Sequence, residues 1–338
     1  MTKTIRKIPI HFVLSGGAAK GFVHIGVLKA FEELGITPAS ITGTSAGALF
    51  GGLYSIYGNF AETKKKIDEF MSSEAYTEFT DNYLLPDIGT KKDEEKETIF
   101  DFFKKKEKFK SKLSKVSSSI SEKFFSVIKG TKAFLNLFDD EALVASEDIN
   151  KIYDAIYSDI NIEDLKIPFI AVASEIRSKS VYCFKKGKIS LAVAASTAIP
   201  LIFPSVRFDD MILYDGGIVS NLPVNESIEN FGDGIRIGVD VSSPPVPLDE
   251  DANFFEIIQQ IISTSIWSKQ ISDRKLCDLL FIPLKETIGW FSFDLKDKLI
   301  DIGYKAIMER KDEINQRINE IIKLKSSKNW FFKMIGNK

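Results

Sequence analysis

An α/β fold with a parallel sheet is predicted from three stretches near the start of this 338-residue sequence. Ile8–Leu14 is a short apolar run closed by Ser15-Gly16-Gly17. Phe22–Leu34 carries Val23, Val27, Ala30, Phe31 and Leu34 at helical spacing, with Gly35 as its stop. A second short strand around Ile41-Thr42 leads directly into a further helical stretch, Ala46–Tyr57. Strand, helix, strand, helix in fewer than 60 residues is how a parallel sheet begins, because parallel neighbours need a crossover connection.

The remaining elements follow in chain order. Gly51-Gly52 lowers the helix propensity of Ala46–Tyr57, so close packing on the sheet has to compensate. From about residue 75 to 150 the texture changes. Asp93–Glu97 is almost all charge, and Lys104–Lys132 holds ten lysines threaded by Phe109, Leu113, Val116, Ile120, Phe124 and Ile128. That spacing predicts one or two basic amphipathic helices, read as an insertion in the α/β domain. The α/β texture returns with an apolar strand at Ile167–Ala173. Val181–Phe184 with Lys185-Lys186-Gly187-Lys188 reads as a hairpin edge, and Leu191–Ala198 as a short helix ended by Pro200. Met211–Tyr214 and Ile235–Val241 read as strands, and Phe254–Trp267 and Leu299–Lys325 as helices. The domain reading is a catalytic unit over 1–245 containing the insertion, then a C-terminal helical region, 246–338, packing on it and ending in a basic aromatic tail around Trp330-Phe331-Phe332.

Composition excludes several function classes. Net charge is −2, so the whole chain offers no electrostatic footprint for nucleic acid. Cys183 and Cys277 are far apart and belong to no C-x-x-C pair, which fits two thiols of a reducing compartment. Met1–Leu14 imitates a signal peptide, yet Pro9 interrupts its apolar run and Ser15-Gly16-Gly17 replaces a cleavage site. No run approaches 18 apolar residues. A cytoplasmic protein is expected, attached at most to a membrane surface.

Gly43-Thr44-Ser45-Ala46-Gly47 has the G-x-S-x-G form of a nucleophile elbow, with the strand before it and the helix after it that such a turn requires. The Ala46 N–H, first in the helix, would donate to an oxyanion, and the helix dipole favours negative charge there. A serine N-cap without catalytic role is the alternative. The usual base is missing: the only histidines, His11 and His24, lie before Ser45, inside a strand and on a helix. Carboxylates remain, and Asp215 stands out because it ends a strand at the turn Asp215-Gly216-Gly217, where functional groups of parallel sheets gather. An aspartate bonding its own turn is the alternative there. Gly16-Gly17-Ala18-Ala19-Lys20-Gly21 is one residue short of both phosphate-loop signatures: Ala18 stands where a dinucleotide loop needs glycine, and Phe22 where a P-loop needs lysine. What it retains is a set of backbone N–H groups converging before a helix, suited to an oxyanion.

Four blocks in order resemble the patatin-like phospholipases: Leu14-Ser15-Gly16-Gly17-Ala18-Ala19-Lys20-Gly21 with the helix after it, Gly43–Ala48, Ala195-Ser196-Thr197-Ala198-Ile199-Pro200 running on to Phe203-Pro204, and Asp215-Gly216-Gly217 with Asn221-Leu222-Pro223. The resemblance covers about 8–60 and 165–242. It implies a three-layer α/β/α sandwich with a mostly parallel central sheet and a Ser–Asp dyad without histidine. Ser45 is then the nucleophile, Asp215 the base, and the Gly16, Gly17 and Ala18 amides the oxyanion hole, with alanine where the family usually has glycine. Lys20 occupies the family's basic position, either supporting the loop or meeting a lipid phosphate. No metal or other cofactor enters this scheme. The expected activity is phospholipase A or lysophospholipase hydrolysis of lipid or fatty-acyl esters. The alternatives are acyl transfer by the same dyad, and a membrane-acting effector held inactive by its insertion, residues 75–150. The lysine-rich stretch and the tail predict peripheral contact with anionic membrane; oligomeric state is not legible.

Overall fold

The computed structural model describes residues 8–81, 142, 144, 146–200, 202–242, 247–248 and 254–335. The insertion expectation for Lys104–Lys132 therefore lies outside the described residues. Its flanks are helical, as α4 (Glu74–Phe79) and α5 (Ser146–Tyr157).

A central eight-stranded sheet organises the chain. Its middle is parallel: β1 (Ile10–Leu14) lies between β2 (Ser40–Thr44) and β7 (Ile235–Val239), β2 continues to β3 (Phe169–Glu175), and β7 continues to β8 (Leu279–Phe281). The other edge is antiparallel, formed by β4 (Ser180–Phe184), β5 (Val206–Phe208) and β6 (Met211–Asp215). All five residues of β1's neighbours β2 and β7 are buried, as are the seven of β3. Strands covered on both faces carry near-continuous apolar or small residues, and these do.

Alternation along β1 divides the interior into two layers. Phe12 and Leu14 face the large core with α1 (Phe22–Glu33), α2 (Ala46–Tyr57) and α6 (Ile189–Ser196); Val13 faces a small cluster with Leu222 and Val224. Together the sheet and its two helical layers are the three-layer α/β/α arrangement. Fully buried Phe12, Phe31, Leu28 and Leu53 illustrate the driving force, each contributing roughly 1.5–3 kcal/mol on leaving water.

Several boundaries differ from the sequence reading, each for a local reason. The strand read as Ile167–Ala173 runs on to Glu175, whose carboxylate accepts the N–H groups of Arg177 and Ser178 and ends the strand. The hairpin is made by β3 with β4 through residues 176–179, while the lysine turn at 185–188 leads into α6. The helix read as Phe254–Trp267 extends to Arg274 (α9). Leu299–Lys325 is two helices, α10 (Lys296–Met308) and α11 (Lys311–Ile335). Residues 279–281, within the segment expected to be helical, add β8 to the sheet. Short β5 and β8, at the two ends of the strand order, carry too little periodicity to be seen in sequence. The remaining helices are α3 (Phe60–Met71), α7 (Gly217–Ser220) and α8 (Val224–Phe231). Among the described residues no helix is long and apolar enough to cross a membrane.

Candidate active site

One edge of β3 is shared by two strands that meet end to end. Residues 171–172 pair with β2 and β4 together, and 173–175 with β4 and β6 together, so β2 and β6 lie on the same edge of β3. β2 arrives parallel and stops at Thr44, opposite Val172; β6 arrives antiparallel and stops at Asp215, opposite Ala173. Ser45 and Asp215 are thereby brought to the same point from 170 residues apart in sequence.

Ser45 has φ 52° and ψ −120°, a conformation L-residues avoid, typically at a cost of about 1–3 kcal/mol. The strain is held by packing: a β-carbon on Gly47 would lie 2.2 Å from the Leu14 carbonyl oxygen, so only glycine lets α2 start this close to β1. The Ser45 N–H donates to Ser196 Oγ (2.9 Å), and Ser196 Oγ–H donates to the Val172 carbonyl (2.5 Å). Ser196, at the end of α6, therefore clamps the elbow to β3.

Asp215 is anchored on both backbone polar groups. Its N–H donates to the Ala198 carbonyl (2.9 Å) and its carbonyl accepts Ser174 Oγ–H (2.7 Å). Its Oδ1 accepts the Gly217 N–H at 2.7 Å, and the Ser45 side chain lies near enough to act on its carboxyl. Burial pushes the carboxyl up to about 6; the nearby Ser45 side chain and the Gly217 N–H oppose the shift without cancelling it. A carboxylate so raised is a far better proton acceptor near neutrality than one in water.

The glycine loop lies beside this pair. A β-carbon on Gly16 would come within 3.1 Å of Ser45 Cβ. The Gly16 N–H is committed to the Asn221 carbonyl (3.1 Å) and Ala19 N–H to the Trp290 carbonyl (3.0 Å). Among the described residues, the Gly17 and Ala18 amides and the first helical amide, Ala46, have no intramolecular acceptor. Ala18 takes φ 50°, the left-handed region that suits glycine, which is why alanine there is a strained choice. Lys20 is buried; its N–H closes the loop on Gly17 O (3.1 Å), and burial lowers its ammonium while Asp240 pulls the other way.

Neither histidine is hydrogen-bonded to Ser45 or Asp215. His24 is buried, donates Nε2–H to the Ser15 carbonyl (2.8 Å), and is pushed down to about 4 by desolvation, so it is a neutral prop for the loop. His11 bonds Ser40 Oγ (2.7 Å) between β1 and β2. Both cysteines are free and half-buried.

Ser45 opens on an apolar cleft of about 1040 Å³ including its mouth, walled by residues such as Leu49, Phe50, Ile67, Phe70, Ile152 and Phe203. Two parts of this cleft escape sequence reasoning. Tyr153 on α5 lines it, hydrogen-bonded to Thr197 and pushed up to about 12, chiefly by burial. Phe291 and Phe293 come from the C-terminal region. Only the helical spacing of Ile149, Ile152, Tyr153 and Ile156 in α5 hinted at an inward face.

A family model described as Patatin-like phospholipase matches residues 12–228. Neuropathy target esterase sws of Drosophila melanogaster is 26% identical over 243 residues, covering 69% of this chain and 13% of that protein. Patatin-like phospholipase domain-containing protein 6 of Homo sapiens is 27% identical over 239 residues, covering 69% and 13%. Lysophospholipase NTE1 of Cryptococcus neoformans is 28% identical over 237 residues, covering 69% and 11%. The match thus spans 11–13% of the length of these curated relatives. Among solved structures, VipD from Legionella pneumophila is similar at 15% identity and a TM-score of 0.46, covering 90% of this chain and 67% of that one. The ExoU–SpcU complex of Pseudomonas aeruginosa is similar at 15% and 0.39, covering 92% and 52%.

Proposed function

This chain belongs to the patatin-like phospholipase family, and from that premise we propose that it is a serine lipid acyl hydrolase of the phospholipase A or lysophospholipase type. The observation that carries the reading is the meeting of Ser45, strained on its elbow, with Asp215, buried and raised to about 6, at the end of an apolar cleft.

In the proposed reaction Asp215 accepts the Ser45 proton as Oγ attacks the ester carbonyl. The carbonyl π pair moves to oxygen, and the tetrahedral oxyanion lies against backbone N–H groups. Gly17, Ala18 and Ala46 are the donors with amides to spare; Gly16, already bonded to Asn221, instead holds the loop in place. Collapse expels the alcohol, which takes its proton from Asp215. Water then attacks the acyl-enzyme, giving its proton to Asp215, and as the acid leaves Ser45 Oγ takes that proton back, restoring the hydroxyl and the carboxylate. Lys20, buried beneath the loop, supports it in this scheme and does not meet a lipid phosphate. The acyl chain lies in the cleft, where each buried methylene is worth about 0.8 kcal/mol.

Ser45→Ala should abolish hydrolysis of p-nitrophenyl esters while leaving the far-ultraviolet circular-dichroism spectrum unchanged; retained activity in that variant would sink the proposal. For membrane contact the support is the basic amphipathic sequence Lys104–Lys132, each lysine contributing about 1 kcal/mol near an anionic surface. Co-sedimentation with vesicles should rise with phosphatidylserine content and fall with salt, and indifference to both would refute the contact.

A further inference from the structure

The glycine loop and the base turn touch a common residue, Asn221. Its carbonyl accepts the Gly16 N–H, and its side chain is wedged between the glycine loop and the aspartate turn. A β-carbon on Gly16 would stand 2.5 Å from Asn221 Oδ1, and one on Gly217 would stand 3.1 Å from the same atom. Gly16 packs on Ser45, and the Gly217 N–H bonds Asp215 Oδ1. A displacement of Asn221 is therefore felt at the loop and at the base together.

What holds Asn221 comes from outside the family match. Its Nδ2–H donates to Gln270 Oε1 at 3.2 Å, and Gln270 Nε2–H donates to Ser242 Oγ at 2.8 Å. Gln270 is 2% exposed and sits on α9, well beyond residue 228 where the match ends. The platform beneath it is itself tied down. The Ser242 N–H donates to Asp240 Oδ1 (2.8 Å), and Asp240 Oδ2 accepts Arg274 Nε–H (2.7 Å) from the same α9. A buried primary amide that spends a donor and its acceptor on two fixed partners is costly to misplace, because each partner left unpaired costs about 1–3 kcal/mol. The chain runs without a gap: α9, Gln270, Asn221, then Gly16 beside Ser45 and Gly217 beside Asp215.

We propose that Gln270 is a positioning residue for ester hydrolysis, setting through Asn221 the distance between the glycine loop and the Ser45–Asp215 pair. It touches no substrate and does not line the cleft, so its effect falls on turnover and leaves substrate binding alone. The inference rests on the Ser45 reading above.

The test compares Gln270→Met, which keeps length and loses both hydrogen bonds, with Gln270→Glu, which keeps an acceptor for Asn221 Nδ2. Kinetics on a p-nitrophenyl ester are measured beside the melting temperature, with Ser45→Ala as control. A misplacement of catalytic groups by an ångström or less costs up to about 100-fold. Gln270→Met should lower kcat roughly 10–100-fold with KM within about twofold, Gln270→Glu should stay within about threefold of the unaltered enzyme, and labelling of Ser45 by a fluorophosphonate should slow in parallel with kcat. Should Gln270→Met fail to fold, Ser242→Ala, which unties Gln270 from the other side, is expected to lower kcat at least threefold at unchanged KM. A Gln270→Met enzyme with kcat within twofold, a loss confined to KM or to melting temperature, or equal losses in both Gln270 variants overturns the inference while Ser45→Ala remains inactive. An unaffected Ser242→Ala, where that variant is the one read, overturns it too. Activity in Ser45→Ala overturns the functional reading and this inference with it.

Discussion

Replacing Asp215 by asparagine should remove activity and at the same time stabilise the protein above pH 6. Unfolded, the carboxyl titrates near 3.8; folded, burial holds it up at about 6. Between those values the native state binds the extra proton, so stability falls as pH rises, and the loss is complete once the folded carboxyl has ionised. A shift of about two units corresponds to about 3 kcal/mol at 1.36 kcal/mol per unit, all of it present at pH 7.5 and only about 1 kcal/mol at pH 4.5. Asparagine carries no charge to desolvate, and its Oδ1 still accepts the Gly217 N–H that Asp215 takes at 2.7 Å. The gain of Asp215→Asn over the unaltered protein should therefore grow by about 2 kcal/mol from pH 4.5 to pH 7.5, whatever constant offset the amide introduces. Urea denaturation at a series of pH values reads this directly. A difference independent of pH, or one that shrinks as pH rises, would refute the claim that Asp215 is buried and ionised at working pH. In the active enzyme the same ionisation should give kcat/KM an acid limb near pH 6.

Ser196→Ala takes a hydrogen-bond partner from two buried groups, the Ser45 N–H and the Val172 carbonyl; at about 1–3 kcal/mol each it should lower unfolding free energy by roughly 2–6 kcal/mol and kcat with it, as measured by urea denaturation and ester hydrolysis. Leu49→Trp narrows the cleft beside Ser45. In the unaltered enzyme kcat/KM should climb by up to about fourfold per methylene until the cleft is full, equivalent to 0.8 kcal/mol each, whereas the variant should lose that climb and keep its rate on p-nitrophenyl acetate. Equal losses on short and long esters would count against the cleft as the acyl site.

The elements around Ser45 are legible because each is local. The apolar run of β1, the 3.6-residue spacing of α1 and the small residues of the elbow are repeated within a few positions, and α2 begins and ends where sequence spacing places it. The C-terminal half carries fewer local signals. β8 has only three residues, Leu279–Phe281, and draws its identity from the β7 ladder beside it, not from its own pattern. Gln270 looks like any polar position on a helix until Asn221 and Ser242 are seen on either side of its amide.

The residue types of the site were determined by sequence alone: a serine on a turn only small neighbours permit, no histidine after it, and an aspartate opening a double glycine. Tertiary structure decided what those groups are worth. β2 and β6 meet end to end on β3, which no local signal encodes, because strand pairing is a long-range choice made by burial and register. That meeting buries Asp215 close to Ser45 and raises its carboxyl to about 6, where a turn aspartate in water would stay near its ordinary value. Likewise the Gly16 amide, a free donor on paper, is bonded to Asn221 once the chain has folded. Chemistry of side chains is local and can be read in order; their distances and solvation are properties of the packed molecule.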